Sequence, residues 1–227
     1  MKLLLGDYVD VLHDESWDTL ISDPPYSDRT HTGHSRSKSC DGSPRKSEIH
    51  YRSWSDEDVN RFVDFTVPRT SGWFVAMTSH DLFRSYHDRL EHHGRYVFHP
   101  VPVVIRGMTV RLGGDGPSSW CIWCVVSRPR NTEFSSWGTL PGAYITGRRR
   151  EPSGFSFIGG KPLHIMRAIV RDYSRHGDKI CDPCLGGGTT AIAAESEGRR
   201  FVGSEIDPDS FARSKDRIET PCQVSLF

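Results

Sequence analysis

Cys181-Asp182-Pro183-Cys184-Leu185-Gly186-Gly187-Gly188-Thr189-Thr190 sets the architecture, because it joins a strand to a helix through a turn without side chains. Lys179 to Cys181 is a short apolar strand, and Gly186 to Gly188 let the backbone come close to a ligand. The helix predicted from Thr189 to Glu197 opens with free N–H groups, which suit a carboxylate or a phosphate. Arg200 to Ile206 is the following strand, and Glu205 near its end can hold both hydroxyls of a ribose. Asp207-Pro208 then starts a last helix that turns Phe211, Ala212 and Ile218 inward.

Working toward the N-terminus, the same alternation continues. Lys161-Pro162 opens a helix with apolar positions at Leu163, Ile165, Met166, Ile169, Val170 and Tyr173. Tyr96 to Ile105 reads as a long strand interrupted by Pro100 and Pro102, prolines that point to an edge strand or a bulge. Asp81 to His93 is a helix stopped by Gly94, Gly72 to Met77 a buried strand, and Asp56 to Val67 a helix capped by Ser55. Lys2 to Leu5 and Trp17 to Ile21 are strands with one helical turn between them. Helices alternating with strands mean an α/β fold with a largely parallel sheet.

The second strand runs into Ser22-Asp23-Pro24-Pro25-Tyr26. Proline lacks an N–H and fixes φ, so Asp23 to Pro25 is a rigid corner that accepts hydrogen bonds without donating them. An exocyclic amine on an aromatic base offers two N–H donors and a flat face, which Asp23, a proline carbonyl and the Tyr26 ring can meet. A plain surface turn accounts for the same residues taken alone.

The corner and the glycine stretch together resemble the S-adenosylmethionine-dependent DNA amino-methyltransferases of the beta class, with the catalytic corner first and the cofactor loop last. The resemblance covers about the first 26 residues and everything from Lys161 onward. It implies one Rossmann-like methyltransferase domain over residues 1–227, with a mostly parallel seven-stranded sheet, one antiparallel edge strand and a circularly permuted motif order. Asp23, Pro24, Pro25 and Tyr26 become the catalytic residues. Asp7, Lys161, Pro162, Asp182, Pro183, Gly186, Gly188, Thr189, Thr190, Glu205 and Asp207 become the cofactor site, with Lys161 and Pro162 near the methionine end and Asp7 near the adenine. For Asp7 and Pro162, a strand-end acid and an ordinary helix start are the competing explanations. Cys184 stands where that family usually has an aromatic residue. A corner beginning with Asp favours adenine N6 as the target, with cytosine N4 as the alternative. Such an enzyme acts on double-stranded DNA by base flipping within restriction-modification, and a homodimer is its candidate assembly.

Charge bears on the partner. The chain has 227 residues with 29 basic and 29 acidic side chains, so any field that attracts nucleic acid must be local. Arg95 to Arg150 holds eight arginines and two acids. Residues 106–160 are the expected target-recognition insertion, and Arg148, Arg149 and Arg150 are its phosphate-binding candidates. Trp137, Tyr144, Phe155 and Phe157 among these arginines give the composition of a nucleic-acid-facing surface, though ordinary core aromatics fit equally. Residues 27–50 are polar and cannot build a core; they read as a mobile loop over DNA that uses Arg29, Arg36, Lys38, Arg45 and Lys46, or as a disordered insertion. Tyr51 and Trp54 would close this loop back onto the body.

No apolar run is long enough to span a membrane, and Met1 to Asp7 turns acidic too soon for a secretory signal, so a cytoplasmic protein is expected. Cys121/Cys124 and Cys181/Cys184 have zinc-like spacing, but residues three apart on a strand face opposite ways, so no metal is expected. Gly186-x-Gly188-x-x-Ala191 also fits a dinucleotide fingerprint, which makes a nicotinamide oxidoreductase the competing enzyme class. Only 22 residues follow Glu205, too few for a second nucleotide-binding half, and such an enzyme gives the Asp23 corner no task. A non-catalytic nucleic-acid-binding domain would keep the basic interval and have no need of Asp23.

Overall fold

The computed structural model describes residues 1–28, 52–106, 120–131, 134, 137–147 and 160–220. Within them the strands are β1 (Lys2–Leu5), β2 (Thr19–Ser22), β3 (Phe74–Thr78), β4 (Tyr96–Val97), β5 (Val101–Arg106), β6 (Cys121–Arg128), β7 (Tyr144–Gly147), β8 (Lys179–Asp182) and β9 (Arg200–Glu205). The helices are α1 (Tyr8–Val11), α2 (Asp56–Thr66), α3 (Phe83–His92), α4 (Leu163–Tyr173), α5 (Thr189–Ser196) and α6 (Pro208–Glu219).

One sheet runs in the order β1-β9-β8-β2-β3-β6-β5-β7, with β4 also on β6. The first five strands in that order are mutually parallel. β6 is antiparallel to β3, β4 and β5, and β7 is parallel to β5. The mostly parallel α/β architecture expected from the sequence is therefore present. It has nine strands among the described residues instead of seven, because the two-residue β4 and the late β7 add to it. The antiparallel strand lies toward one side of the sheet and is itself covered by β5 and β7.

The chain forms these elements for local reasons. Ser55 caps α2 with a reciprocal box: its hydroxyl accepts from the Asp58 N–H at 3.4 Å, and the Asp58 carboxylate accepts from the Ser55 N–H at 3.0 Å. Gly94 (φ +72°) ends α3, a left-handed conformation that glycine adopts without strain. The predicted long strand from Tyr96 breaks at residues 98–100 into β4 and β5. Pro102 is tolerated inside the sheet because β7 begins pairing one residue later, at Val103.

Strands covered on both faces should be largely apolar, and β3 is apolar from Phe74 to Met77. Phe74 and Ala76 turn to a cluster with Leu12, Leu20, Phe62, Tyr86 and Leu90 under α1 to α3. Val75 and Met77 turn to Ile165, Met166, Ile169 and Ala193 under α4 and α5. Arg95 is 4% exposed, with its guanidinium donating to Ser127 Oγ at 2.9 Å and to the carbonyls of Ser127, Thr70 and Gly72; burial lowers its pKa to about 10. One of the eight arginines in the basic interval is thus a brace between β6 and the turn before β3.

The aromatic residues of that interval also turn inward. Trp137 Nε1 donates to the carbonyl of Asp172 at 2.8 Å, and its ring lies 5.7 Å from that of Trp73. Tyr144 is buried, with its hydroxyl on Asp172 Oδ2 at 2.7 Å. These two rings bind β7 and its approach to α4, so they are core and not a nucleic-acid surface. Phe155 and Phe157 lie outside the described residues.

Candidate active site

Parallel strands deliver their C-terminal ends to one margin of the sheet, where open α/β sheets bind ligands. β2 delivers Asp23 there, β8 delivers Asp182, β9 delivers Glu205 and β1 delivers Asp7. The two stretches singled out in the sequence are neighbours, since Leu20 pairs with Cys181. They are also bonded: Ser22 Oγ donates to Asp182 Oδ1 at 2.7 Å, and the Cys184 N–H reaches the same oxygen at 3.1 Å.

At the corner Pro24 is buried, while Asp23, Pro25 and Tyr26 are half-exposed. The Tyr26 hydroxyl donates to Asp23 Oδ1 at 2.8 Å. The Lys161 ammonium is paired with Asp23 Oδ2 and stands 5.2 Å from the centre of the Tyr26 ring. The carbonyl of Tyr26 accepts from the Trp54 N–H at 3.0 Å, so Trp54 rejoins the body at the corner, while Tyr51 lies outside the described residues.

Asp182 is 1% exposed. Burial raises its pKa from 3.8 to about 6, against the opposing pull of hydrogen bonds from Thr190, Ser22 and the Cys184 backbone. Between about pH 4 and pH 6 the folded protein therefore keeps a proton that the unfolded chain has released, and Asp182 makes stability fall as pH rises through that window. Asp182→Asn keeps an acceptor for Ser22 and removes the titration. Denaturant unfolding should show the variant gaining on the wild type between about pH 4 and pH 6, with the difference levelling off above that. A pH-independent difference between the two proteins would mean that Asp182 titrates normally.

The glycine loop is held from several sides. Gly186 (φ +50°) and Gly188 (φ +73°) are left-handed, and a Cβ on Gly188 would lie 2.8 Å from Ile218 Cδ1. Arg217 Nη1 donates to the Gly187 carbonyl at 2.5 Å and to Thr189 Oγ1 at 2.9 Å. Glu205 Oε2 accepts from the Gly186 N–H at 2.8 Å, and Oε1 from the Asp207 N–H at 3.0 Å. Two backbone bonds thus fix the carboxylate and leave it acceptor capacity, since a carboxylate has about four lone-pair sites.

Several residues named from the sequence have structural tasks here. Asp7 caps α1 through the Val9 N–H at 3.0 Å and pairs with Arg61 at 3.0 Å. Asp207 caps α6 through the Ser210 N–H at 2.8 Å. The Pro162 carbonyl receives the first N–H groups of α4, from Ile165 and Met166, and the Pro183 carbonyl accepts from Ser204 Oγ at 3.0 Å. Thr189 and Thr190 are buried at the start of α5. The eight basic candidates, Arg29, Arg36, Lys38, Arg45, Lys46, Arg148, Arg149 and Arg150, lie outside the described residues.

Sequence reasoning passed over Ser22, Leu5 and Ile206. Leu5 is 47% and Ile206 66% exposed, and Leu5 pairs with Glu205, so two apolar side chains flank that carboxylate in the open. The available signal was an apolar residue following the acid at a strand end, where water is otherwise expected. Burial raises the pKa of Cys121, Cys124, Cys181 and Cys184 above the usual thiol value.

With this geometry in view, known proteins resemble the chain at two levels. A family model described as DNA methylase matches residues 122–216, which include Lys161 and the glycine loop and leave out Asp23. Type II methyltransferase M.BglI of Bacillus subtilis is 32% identical over 88 residues, 39% of this chain and 24% of that protein. The chain matches only about a quarter of the length of its first curated relatives. A crystal structure of an M1.HpyAVI–SAM complex superposes with a TM-score of 0.68 at 19% identity, covering 96% of this chain and 98% of that one. The fold is that of the DNA methyltransferases. The cytosine-N4-specific PvuII DNA methyltransferase superposes almost as well, with a TM-score of 0.67 at 16% identity over 98% of this chain and 87% of that one. In this chain the Asp23 corner and the glycine loop lie at neighbouring strand ends of that fold.

Proposed function

We propose that the chain is a DNA amino-methyltransferase that uses S-adenosylmethionine and acts on the N6 amine of a flipped adenine in double-stranded DNA. The observation that carries this reading is the Ser22–Asp182 hydrogen bond, which fixes the acceptor corner directly beside the glycine loop. A base-binding corner and a nucleoside-binding loop held in one rigid unit suit transfer between the two. The DNA methylase model over residues 122–216 and the type II methyltransferases among the relatives support the class and its place in restriction-modification.

The residues present fit the cofactor. Glu205 offers a fixed carboxylate to ribose hydroxyls, and Leu5 and Ile206 offer apolar surface to an adenine ring beside it. Asp7 stands at the adjoining strand end. Gly186 and Gly188 bare the backbone N–H groups that open α5, with Thr189 and Thr190 behind them. S-adenosylmethionine supplies a methyl group on a sulfonium. A nicotinamide dinucleotide would leave the Asp23 corner without a task.

The chain's own residues then deal with the amine. Its lone pair is delocalised into the ring, so the task is to draw it out and aim it. The Asp23 carboxylate and a proline carbonyl accept the two N–H groups, and the Tyr26 ring stacks on the base. Stacking contributes about 1–3 kcal/mol per base, which offsets much of the few kcal/mol needed to extrude it. This is positioning and electrostatics, with no proton abstraction required before transfer.

The start of the corner carries the choice of base. Asp23 accepts through two oxygens and favours adenine N6; the fold alone suits cytosine N4 as well, as the PvuII enzyme illustrates. For DNA contact, β7 ends at Gly147 in register with Arg106. Arg148, Arg149 and Arg150 come next in the sequence, and the charge of that interval is what supports a phosphate-binding role for them.

The test is incubation with labelled S-adenosylmethionine and unmethylated genomic DNA, followed by digestion to nucleosides. N6-methyladenine is the expected product. N4-methylcytosine would overturn the base assignment, and absence of transfer the class.

A further inference from the structure

Lys161 stands 138 residues from Asp23 in sequence, yet its ammonium donates to Asp23 Oδ2. Only 9% of its side chain is accessible, and its nitrogen lies over the Tyr26 ring at 5.2 Å from the centre. The other oxygen of Asp23 is taken by the Tyr26 hydroxyl at 2.8 Å. An N–H donor is thus held by the Asp23 carboxylate and by the face of Tyr26 at once. Those are two of the contacts that the corner would make to a target amine.

We propose that Lys161 is an internal stand-in for the target amine, a positioning residue that occupies the acceptor corner until a base displaces it. The inference rests on the proposed function and deepens it. A bare carboxylate beside buried Pro24 would be poorly solvated and free to change rotamer. With Lys161 on one oxygen and Tyr26 on the other, it is fixed in the geometry in which it will receive an amine. A cation over an aromatic face is itself attractive, so Lys161 also keeps the Tyr26 ring from collapsing onto the corner.

The arrangement selects among entrants. A base that donates two N–H groups and stacks on Tyr26 replaces both contacts of the lysine, whereas a base with a carbonyl in place of that amine meets Asp23 with an acceptor and cannot dislodge it. Thymine and uracil are thereby rejected before any methyl group is at risk. Pro162 ties the backbone next to Lys161 to the start of α4 through Ile165 and Met166, so the lysine leaves by rotation of its side chain while its anchor stays in place.

Two measurements test this. In the first, methyl incorporation into unmethylated genomic DNA is followed for wild type, Lys161→Met and Lys161→Arg, with S-adenosylmethionine affinity measured separately by calorimetry. If the ammonium holds the corner for nine-tenths of the time, its loss lowers the KM for DNA about tenfold, as for any competent state populated a tenth of the time. Lys161→Arg should restore the wild-type KM, and S-adenosylmethionine affinity should not change in either variant. A weakened S-adenosylmethionine affinity with an unchanged or raised KM for DNA would overturn the proposal and return Lys161 to the cofactor site. In the second, lysine acetylation is mapped by mass spectrometry without DNA or cofactor. Lys161 should be protected in wild type and labelled in Asp23→Ala; equal labelling in both would also overturn the proposal. A wild type that transfers no methyl group would count against the proposed function, while the labelling would still decide the contact.

Discussion

On the proposed function, Asp23→Ala should abolish methyl transfer, with a fall in kcat of at least about a thousandfold, while S-adenosylmethionine should still bind. The size follows from what the carboxylate does: preorganised groups aimed at developing charge are worth about 10²–10³ each, and Asp23 also fixes the amine in line. The variant also leaves the Lys161 ammonium without its carboxylate in a site where 9% of the side chain is accessible. A separate control for folding is therefore needed. Asp23→Ala combined with Lys161→Met removes that buried charge as well and should melt close to wild type, yet remain inactive. Single-turnover transfer, with calorimetry of cofactor binding on the same samples, checks both parts. Activity within about tenfold of wild type in the double variant would remove Asp23 from the chemistry, since even one such group is worth more.

Glu205→Ala has the second-largest expected effect, on binding instead of chemistry. Two hydrogen bonds from ribose hydroxyls to a charged acceptor contribute about 1.5 kcal/mol or more each, so the dissociation constant for S-adenosylmethionine should rise about a hundredfold. The alanine also frees the Gly186 and Asp207 N–H groups, which loosens the glycine loop against α6. Glu205→Gln separates the two tasks. Its amide keeps one acceptor and loses the charge, so it should bind with intermediate affinity. Calorimetry reads both variants, and an unchanged constant for Glu205→Ala would take this residue out of the cofactor site.

The parts of the site that were legible in the sequence are those whose chemistry sits within a few consecutive residues at a strand end. A proline corner, a glycine turn and an acid closing a strand are written locally, and the structure brings all three to one margin of the sheet. Contacts made across the fold left no such trace. Nothing near Lys161 announces Asp23, and nothing near Ser22 announces Asp182. The middle of the chain misled for a different reason. Composition counts Arg95 as surface charge, yet it is satisfied by carbonyls of β6 and of the turn before β3. Trp137 and Tyr144 look the same in a sequence whether they stack on bases or on Trp73 and α4. A two-residue strand such as β4 is too short to display an alternation at all.

The strand order also carries a consequence for how the chain is made. β1 has its sheet partner in β9, so Lys2 to Leu5 gain their neighbour only after residues near 202–205 exist. Ser22 likewise waits 160 residues for Asp182. Such long sequence separations slow folding, because loop-closure entropy must be met before the pairing rewards it. On the ribosome, β2, β3 and β6 can therefore assemble while the groove between β1 and β2 stays open, and the late arrival of β8 and β9 fills it. The Asp23 corner, already in place on β2, meets the glycine loop only in that closing event. Until those last strands are placed, the two parts of the candidate site stay apart.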